Sequence, residues 1–395
     1  MEMSNKKQQI PAIRFRDCSD AWEQRKLKEV ANHRGGTAIE KYFSKNGKYK
    51  VISIGSYGIN SKYIDQGIRA VSNDITDVRV VRKGELTMVL NDKTSNGTII
   101  GRSLLIDTDN EYVINQRTEI LSPKENFDSS FAYITLNGPF REKVRKIVQG
   151  GTQIYVNYPV VENLKLELPD LEEQKKIGTF FKYLDDTIDL HQRQLNNYKE
   201  FKGAMLQKMF PQNGKKLPEV RFYGFTEEWE HFKLGELVDV TTGKLDANAM
   251  KDNGKYDFYT SGIKKYKIDV AAFEGPAITI AGNGATVGYM HYADGKFNAY
   301  QRTYILTKFK ANREFLFSEI KRNLPKKINQ EARTGNIPYI VLDMLTDLQI
   351  KVPSSEEQIK IGAFFKHLDD TIAFHQQKVN DYKQLKNAML QQLFV

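Results

Sequence analysis

Two stretches of the chain repeat apolar positions with alternating steps of four and three. One runs Ile177, Phe181, Leu184, Ile188, His191, Leu195, Tyr198, Lys202, Met205, Met209; the other runs Ile361, Phe365, Leu368, Ile372, His375, Val379, Tyr382, Lys386, Met389, Leu393. A mean step of 3.5 residues keeps one side of a helix facing a partner, so each stretch predicts one helix of a coiled coil. Asp170 with Glu173, and Ser354 with Glu357, have capping-box spacing just after a proline and mark the two starts. Forty residues of helix extend about 60 Å.

The rest of the chain has a different rhythm. Short β-rich runs (YKVISI, DVRVVRKGELTMVL, AITIAG, TYILTKF) alternate with Gly, Asn and Asp turns, while EFLFSEIKRNL and FREKVRKIV read as short helices. The expected fold class is α+β: two pseudo-symmetric α/β-type domains, at 1–169 and 212–353, separated by two long helices at 170–211 and 354–395.

The halves are copies. The stretch 168–210 returns at 352–394 at a constant offset of 184, with about 26 positions identical and no gap. PAIRFRDCSDAWEQRKLKEV from Pro11 returns as PEVRFYGFTEEWEHFKLGEL from Pro218, offset 207. Asn96-Gly97 with Gly101 aligns with Asn283-Gly284 and Gly288, and Gln116-Arg117-Thr118 with Gln301-Arg302-Thr303. The falling offset puts about 20 extra first-half residues between Gly55 and Asn96, where insertions belong in surface loops.

The chain is 395 residues long and has a formal charge of +10, which implies a polyanionic partner. Residues 1–169 carry 26 Lys and Arg against 20 Asp and Glu, and residues 212–353 carry 21 against 17; the two helical stretches are neutral, 7 against 7 and 5 against 5. A polyanion is therefore expected on the domains and protein packing on the helices. The N-terminus has no hydrophobic signal core, and one cysteine, Cys18, cannot form an internal disulfide, so a soluble cytoplasmic protein without membrane contact is expected.

No catalytic constellation is found. AGNGATVG has neither dinucleotide nor P-loop spacing, and VNYP at 156–159 reads as a strand end. Asp170, Glu173 and Lys175 have the residue types of a metal-dependent nuclease, but the copy substitutes Ser354 and Ile359, which an N-cap tolerates and a nuclease site does not. His33, His231, His291 and His367 lack paired-ligand spacing, so neither a metal nor a cofactor is expected on this chain.

The domains do carry lysines and arginines interleaved with tyrosines, suited to phosphates and base edges. The candidate DNA-binding residues are Arg34, Lys48, Tyr57, Lys62, Arg69, Lys93, Arg102 and Arg117 in the first half. In the second they are Lys244, Tyr259, Lys264, Lys265, Asn283, Arg302 and Arg333. Divergent loops, from about Asn60 to Asp92 and from Lys264 to Glu274, are the expected readers. Features shared by both halves are expected to be scaffold or sequence-independent contacts.

EEQKKIGTFFKYLDDTI and EEQIKIGAFFKHLDDTI, with the entry motif Pro218 to Glu236, resemble the repeated regions of the DNA-specificity subunit of type I restriction-modification enzymes. The likeness spans nearly the whole chain; Cys18 and Lys28 depart from the usual Phe and Gly. The resemblance implies a non-catalytic scaffold whose two target recognition domains each bind one half of a split site on double-stranded DNA, with the helices paired antiparallel as a spacer. It also implies two copies of a modification methyltransferase subunit using S-adenosylmethionine, joined by restriction and translocase subunits using ATP and Mg²⁺. Phe180, Phe181, Leu184 and His191, with Phe364, Phe365, Leu368 and His375, are the expected helix-pairing or partner-docking residues. A stand-alone pseudo-dimeric DNA-binding regulator is the rival reading, and a nuclease acting alone is the enzymatic one.

Overall fold

The computed structural model describes residues 11–212, 214–331 and 338–394. The chain divides into two compact units, Met1–Leu190 with Lys378–Val395, and His191–Gln377. The two long helices are Leu171–Lys208 and Ser355–Leu393. Packing thus cuts across the serial order of domains and helices, because each unit holds one α+β domain and a segment of both helices.

Within each unit the helix segments run antiparallel. In the first, Phe181 lies 6.4 Å from Phe394 and Lys386 donates to both oxygens of Asp185 at 2.6 and 2.8 Å. In the second, Phe210 lies 5.6 Å from Phe365 and Lys202 donates to Asp369. These are the same contacts at an offset of 184, so the repeat in sequence is also a repeat in contacts. The pairing also explains a lysine at each seam: Lys202 is 7% exposed, and its charge is met by a carboxylate from the other helix. Burial, reinforced by nearby Lys321, pulls the Lys202 ammonium below its ordinary pKa despite that partner. Ile177, Phe181, Leu184, Leu195, Ile361, Phe365, Leu368 and Val379 are buried, as the seam pattern predicts.

Each α+β domain is built around two four-stranded sheets, with smaller sheets beside them. In the first, the antiparallel order is Ala31–Gly35, Thr118–Pro123, Leu86–Val89, Ser103–Leu105; its counterpart is Asp239–Thr242, Thr303–Thr307, Ala277–Ala281, Met290–Ala293. The second sheet of each contains one parallel pairing, Tyr49–Ile52 with Tyr112–Ile114 and Tyr256–Tyr259 with Lys296–Ala299. Parallel pairing needs a crossover, and here the strands of the first sheet supply it. The extra residues of the first half lie mainly in connections: 53–68 joins strands that 260–265 joins in the second. Only part of the expected Asn60–Asp92 reading loop is loop, however. Leu86–Val89 is a buried interior strand, where alternating faces both meet packed neighbours.

Each domain is fixed to the start of its long helix by the same three contacts. Arg14 forms a two-bonded ion pair with Glu173 at 3.0 and 2.5 Å, and Arg221 one with Glu357 at 2.9 and 2.5 Å. Gln174 accepts from the Asp128 backbone N–H, and Gln358 from that of Asn312, both at 2.9 Å. A side-chain carbon on Gly178 would lie 2.9 Å from the Phe131 nitrogen, and one on Gly362 would lie 2.8 Å from the Phe315 nitrogen. Trp22 and Trp229 pack edge-on against Phe131 and Phe315.

These contacts correct the expected capping boxes. Asp170 and Ser354 do accept from the N–H groups of Glu173 and Glu357, at 2.9 and 3.4 Å. The glutamates themselves turn away to the arginines, because a buried carboxylate gains more from a guanidinium fork than from one backbone N–H. The run VNYP, expected as a strand end, does follow the end of the strand Ile154–Tyr155, and its last two residues open a helical turn, Tyr158–Val161, with Pro159 tolerated in the first turn.

The two phenylalanines next to the seam brace their own domains. Phe364 lies edge-on to Phe201 and to Phe222 at 6.2 and 6.3 Å, and Phe180 packs against the first core beside Phe181. Among the described residues no helix is long and apolar enough to cross a membrane.

Candidate nucleic-acid interface

In the first domain a strand end, a tight turn and a small sheet enclose an open cleft of about 830 Å³. Its lining includes Asn91, Lys93, Gln116, Arg117, Gln153 and Tyr155. Gly36 makes the close approach possible: a side-chain carbon there would overlap the carbonyl of Asn115, and its N–H donates to Thr118 at 2.8 Å. Asn115 is buried and organises the turn, accepting from the Ile39 and Gln116 N–H groups at 3.2 and 2.8 Å and donating to Glu40 at 3.0 Å. Gln116 donates to the same Glu40 oxygen at 3.0 Å. These amides, Asn115 first, hold the Glu40 carboxyl below its ordinary pKa.

The remaining wall is backbone-paired to that turn. The Leu90 N–H donates to the Arg117 carbonyl and the Val156 N–H to the Leu90 carbonyl, both at 2.9 Å, while Asn91 pairs with Tyr155. Lys93 rides on a loop folded around buried Asp92, which accepts from the Thr94 and Ile99 N–H groups at 3.0 and 2.9 Å. Burial alone would raise the Asp92 pKa; the amides, led by Ile99, outweigh it and keep the group ionised.

The second domain repeats this construction. Gly243 overlaps in the same way with Ala299 and donates to Thr303 at 3.1 Å, and Gln301 donates to Asp246 at 2.9 Å. The Gly282 N–H donates to the Arg302 carbonyl at 2.8 Å, the Ile340 N–H to Gly282 at 2.7 Å, and Asn283 bridges to Tyr339. Asn283 therefore occupies the backbone place of Asn91, not the place of Asn96 that the sequence alignment gives it. The five residues Asp92–Asn96 are the first domain's additional loop, and the glycines realign beyond it. In both domains Asn, Tyr, Gln and Arg stand together: Asn91, Tyr155, Gln116, Arg117, and Asn283, Tyr339, Gln301, Arg302.

The expected contact residues fall into three groups. Lys48, Lys93, Arg117, Lys244, Lys264, Lys265 and Arg302 are exposed. Several of the lysines lie over tyrosine rings: Lys48 over Tyr49 at 4.8 Å, Lys264 over Tyr266 at 5.2 Å and Lys265 over Tyr259 at 5.4 Å. A second group is engaged within the protein. Arg34 grips both oxygens of Glu85 at 2.8 and 2.7 Å, Arg102 donates to Ser61 and to the Thr98 carbonyl at 2.9 Å, and Lys62 pairs with Asp189. Arg69 is half-buried beside Lys50, and Asn283 accepts from Ser261 at 2.7 Å. The third group is interior: Tyr57, 3% exposed, donates to Thr87 at 2.9 Å, and Tyr259, 2% exposed, donates to the Tyr292 carbonyl at 3.2 Å. Burial drives both phenols well above their ordinary pKa, and neither ring can meet a duplex. Arg333 lies outside the described residues.

Asn91, Gln153, Tyr155 and Tyr339 were not among the sequence candidates. Their signal was out of reach, because Tyr155 joins Asn91 only through strand pairing across more than sixty residues of chain. The residue types that suggested a nuclease are occupied structurally: Asp170 caps its helix, Glu173 holds Arg14 and Lys175 pairs with Glu172. Among the described residues no group of three or more His, Cys, Asp or Glu could hold a metal ion.

A family model, the type I restriction modification DNA specificity domain, matches twice, over residues 19–199 and 226–384. The chain is 36% identical over 167 residues to the type I restriction enzyme EcoDI specificity subunit of Escherichia coli, a match covering 41% of this chain and 37% of that protein. It is 24% identical over 370 residues to the MjaVIII specificity subunit of Methanocaldococcus jannaschii, covering 84% and 83%. The fold is that of the type I restriction-modification S subunit from M. genitalium, at 17% identity, with a TM-score of 0.76 and coverage of 98% and 99%.

Proposed function

The chain belongs to the type I restriction-modification DNA specificity family and carries its domain twice; from that premise we propose that each domain reads one part of a bipartite, asymmetric site on double-stranded DNA. The observation that carries the proposal is the duplicated arrangement of Asn, Tyr, Gln and Arg, set on different loops but on the same backbone contacts in both domains. An asymmetric two-part sequence requires two readers that differ in side chains and agree in framework. Basic excess confined to the two domains supports the same reading, since phosphate neutralisation supplies most of the sequence-independent affinity for DNA.

On this reading the chain is a non-catalytic specificity subunit. Two copies of a modification methyltransferase subunit join it and use S-adenosylmethionine, and restriction and translocase subunits use ATP and Mg²⁺. Neutral helices whose polar seam residues are satisfied by one another suit a scaffold better than a catalyst.

The test is to purify the chain alone, with the modification subunit, and with both partner types, and to assay binding, methylation and cleavage. Methylation only with the modification subunit, and cleavage only with all components, supports the proposal. Tight specific binding by the isolated chain with no effect of either partner would favour a stand-alone regulator. Mg²⁺-dependent cleavage by the chain alone would reject both.

A further inference from the structure

We propose that Arg117 and Arg302 are equivalent backbone clamps, each holding a DNA phosphate at the matching turn of its domain. The inference rests on the DNA-reading function above and assigns one task within it. Residues at matching positions that are identical in two domains reading different bases either serve the scaffold or meet something both half-sites share, and an exposed side chain that grips nothing among the described residues fits the second role. What every half-site shares is the sugar-phosphate backbone.

The local construction fits that task. Both arginines are exposed, and among the described residues neither guanidinium donates a hydrogen bond or joins an ion pair, whereas Arg34, Arg141 and Arg322 are all engaged. Their carbonyls are pinned by the Leu90 and Gly282 N–H groups, so the backbone beneath each guanidinium is fixed before DNA arrives. Arg117 is held at φ 66°, a left-handed conformation that a long side chain seldom adopts and that the surrounding hydrogen bonds impose. The exposed Tyr155 and Tyr339 stand beside them with phenolic O–H groups able to donate to a second phosphate oxygen. Glu40 and Asp246 would oppose an anion, but each is engaged by a glutamine amide, which directs the carboxylate toward the turn and leaves the arginine outermost.

Lys93 and Gln153 line the first cleft on a loop and a hairpin turn that make it different, so they are left to base readout. The division gives distinct expectations. Full chain assembled with its modification subunit is titrated with a duplex carrying its mapped site and with a scrambled duplex, over a series of salt concentrations. Arg117→Gln and Arg302→Gln should each weaken binding to both duplexes by the same factor and lower the slope of log K against log salt by about 1, the double variant by about 2. Arg→Lys at either place should restore the slope, and the methylated sequence should be unchanged throughout. A change in the bases methylated, or a salt slope equal to wild type in a variant with wild-type thermal stability, overturns the inference. Should Arg→Gln disturb folding, the lysine variants decide it, since a clamp keeps its salt slope with lysine and a purely structural arginine would lose stability there too. Absence of DNA binding by the wild-type assembly would instead reject the functional reading itself.

Discussion

His191 and His375 meet Nδ1 to Nδ1 at 2.9 Å, each the other's copy at an offset of 184. A hydrogen bond between two such nitrogens needs one donor and one acceptor, so at most one imidazole of the pair can be charged without breaking it. Tyr198 stacks on His375 at 5.6 Å and Phe374 lies edge-on to His191 at 6.3 Å, completing an aromatic plug in the seam. The geometry matches a register in which the two seams face each other.

Burial, and then the neighbouring His191, hold His375 below the ordinary histidine pKa. The unfolded chain therefore binds the proton more readily than the folded one, and stability must fall as pH drops through the histidine range. We expect the melting temperature to be steady above about pH 6.5 and to decline below it. Part of that decline belongs to His291, which burial also holds low. His191→Leu with His375→Leu should therefore reduce the pH dependence without abolishing it. An unchanged melting profile between pH 7 and 5 in that double variant would contradict the assignment.

The paired arginines at the domain entries are expected to matter more than their number suggests. Glu173 and Glu357 are fully buried in side chain, so removing an arginine strands a carboxylate in the core. Arg221→Ala should cost about 3–5 kcal/mol, read by chemical denaturation. Arg14→Ala should cost less, because Trp22 also donates to Glu173 at 3.3 Å, whereas among the described residues the Trp229 indole nitrogen has no hydrogen-bond partner. Equal losses at both positions would remove the indole from the explanation.

Glycine in mid-helix ordinarily weakens a helix by about 1 kcal/mol relative to alanine, so Gly178→Ala and Gly362→Ala would stabilise an isolated helix. Here the added carbon meets the backbone of Phe131 or Phe315, which cannot retreat without breaking the cap that Asp128 or Asn312 provides at 2.9 Å. Both substitutions should therefore destabilise the protein, by about 1–3 kcal/mol as overpacking does. A gain in thermal stability would show that the domains are not seated on these glycines.

The phenylalanines beside the seam separate two roles. Phe364→Ala leaves a gap between Phe201 and Phe222 and should lower thermal stability by about 2 kcal/mol, part of the cost of a fully buried phenylalanine. Assembly with the modification subunit, followed by size-exclusion chromatography, should be unaffected once folding is complete. Lost assembly at wild-type stability would make Phe364 a docking residue instead.

Periodicity and self-similarity revealed the helices, their seam and the duplicated α+β frame, because those features repeat at fixed spacing along the chain; the antiparallel pairing came from the family resemblance. The interface was legible only in outline. Lys48, Lys93, Lys244, Lys264 and Lys265 are exposed, whereas Tyr57 and Tyr259, indistinguishable in sequence from surface tyrosines, are enclosed by the sheets. Arg34 and Arg102 are occupied by partners dozens of residues away. The correspondence of Asn91 with Asn283 needed the hydrogen bonds to Arg117 and Arg302, since the additional loop at Asp92–Asn96 misleads an alignment built on Asn-Gly.

Exchange of residues 212–353 for the same region of a related specificity subunit, followed by mapping of methylated sites in the genomic DNA of cells carrying each version, tests the division of labour most directly. The account predicts that one half of the methylated sequence changes and the other is retained. A change in both halves, or in neither, would contradict it.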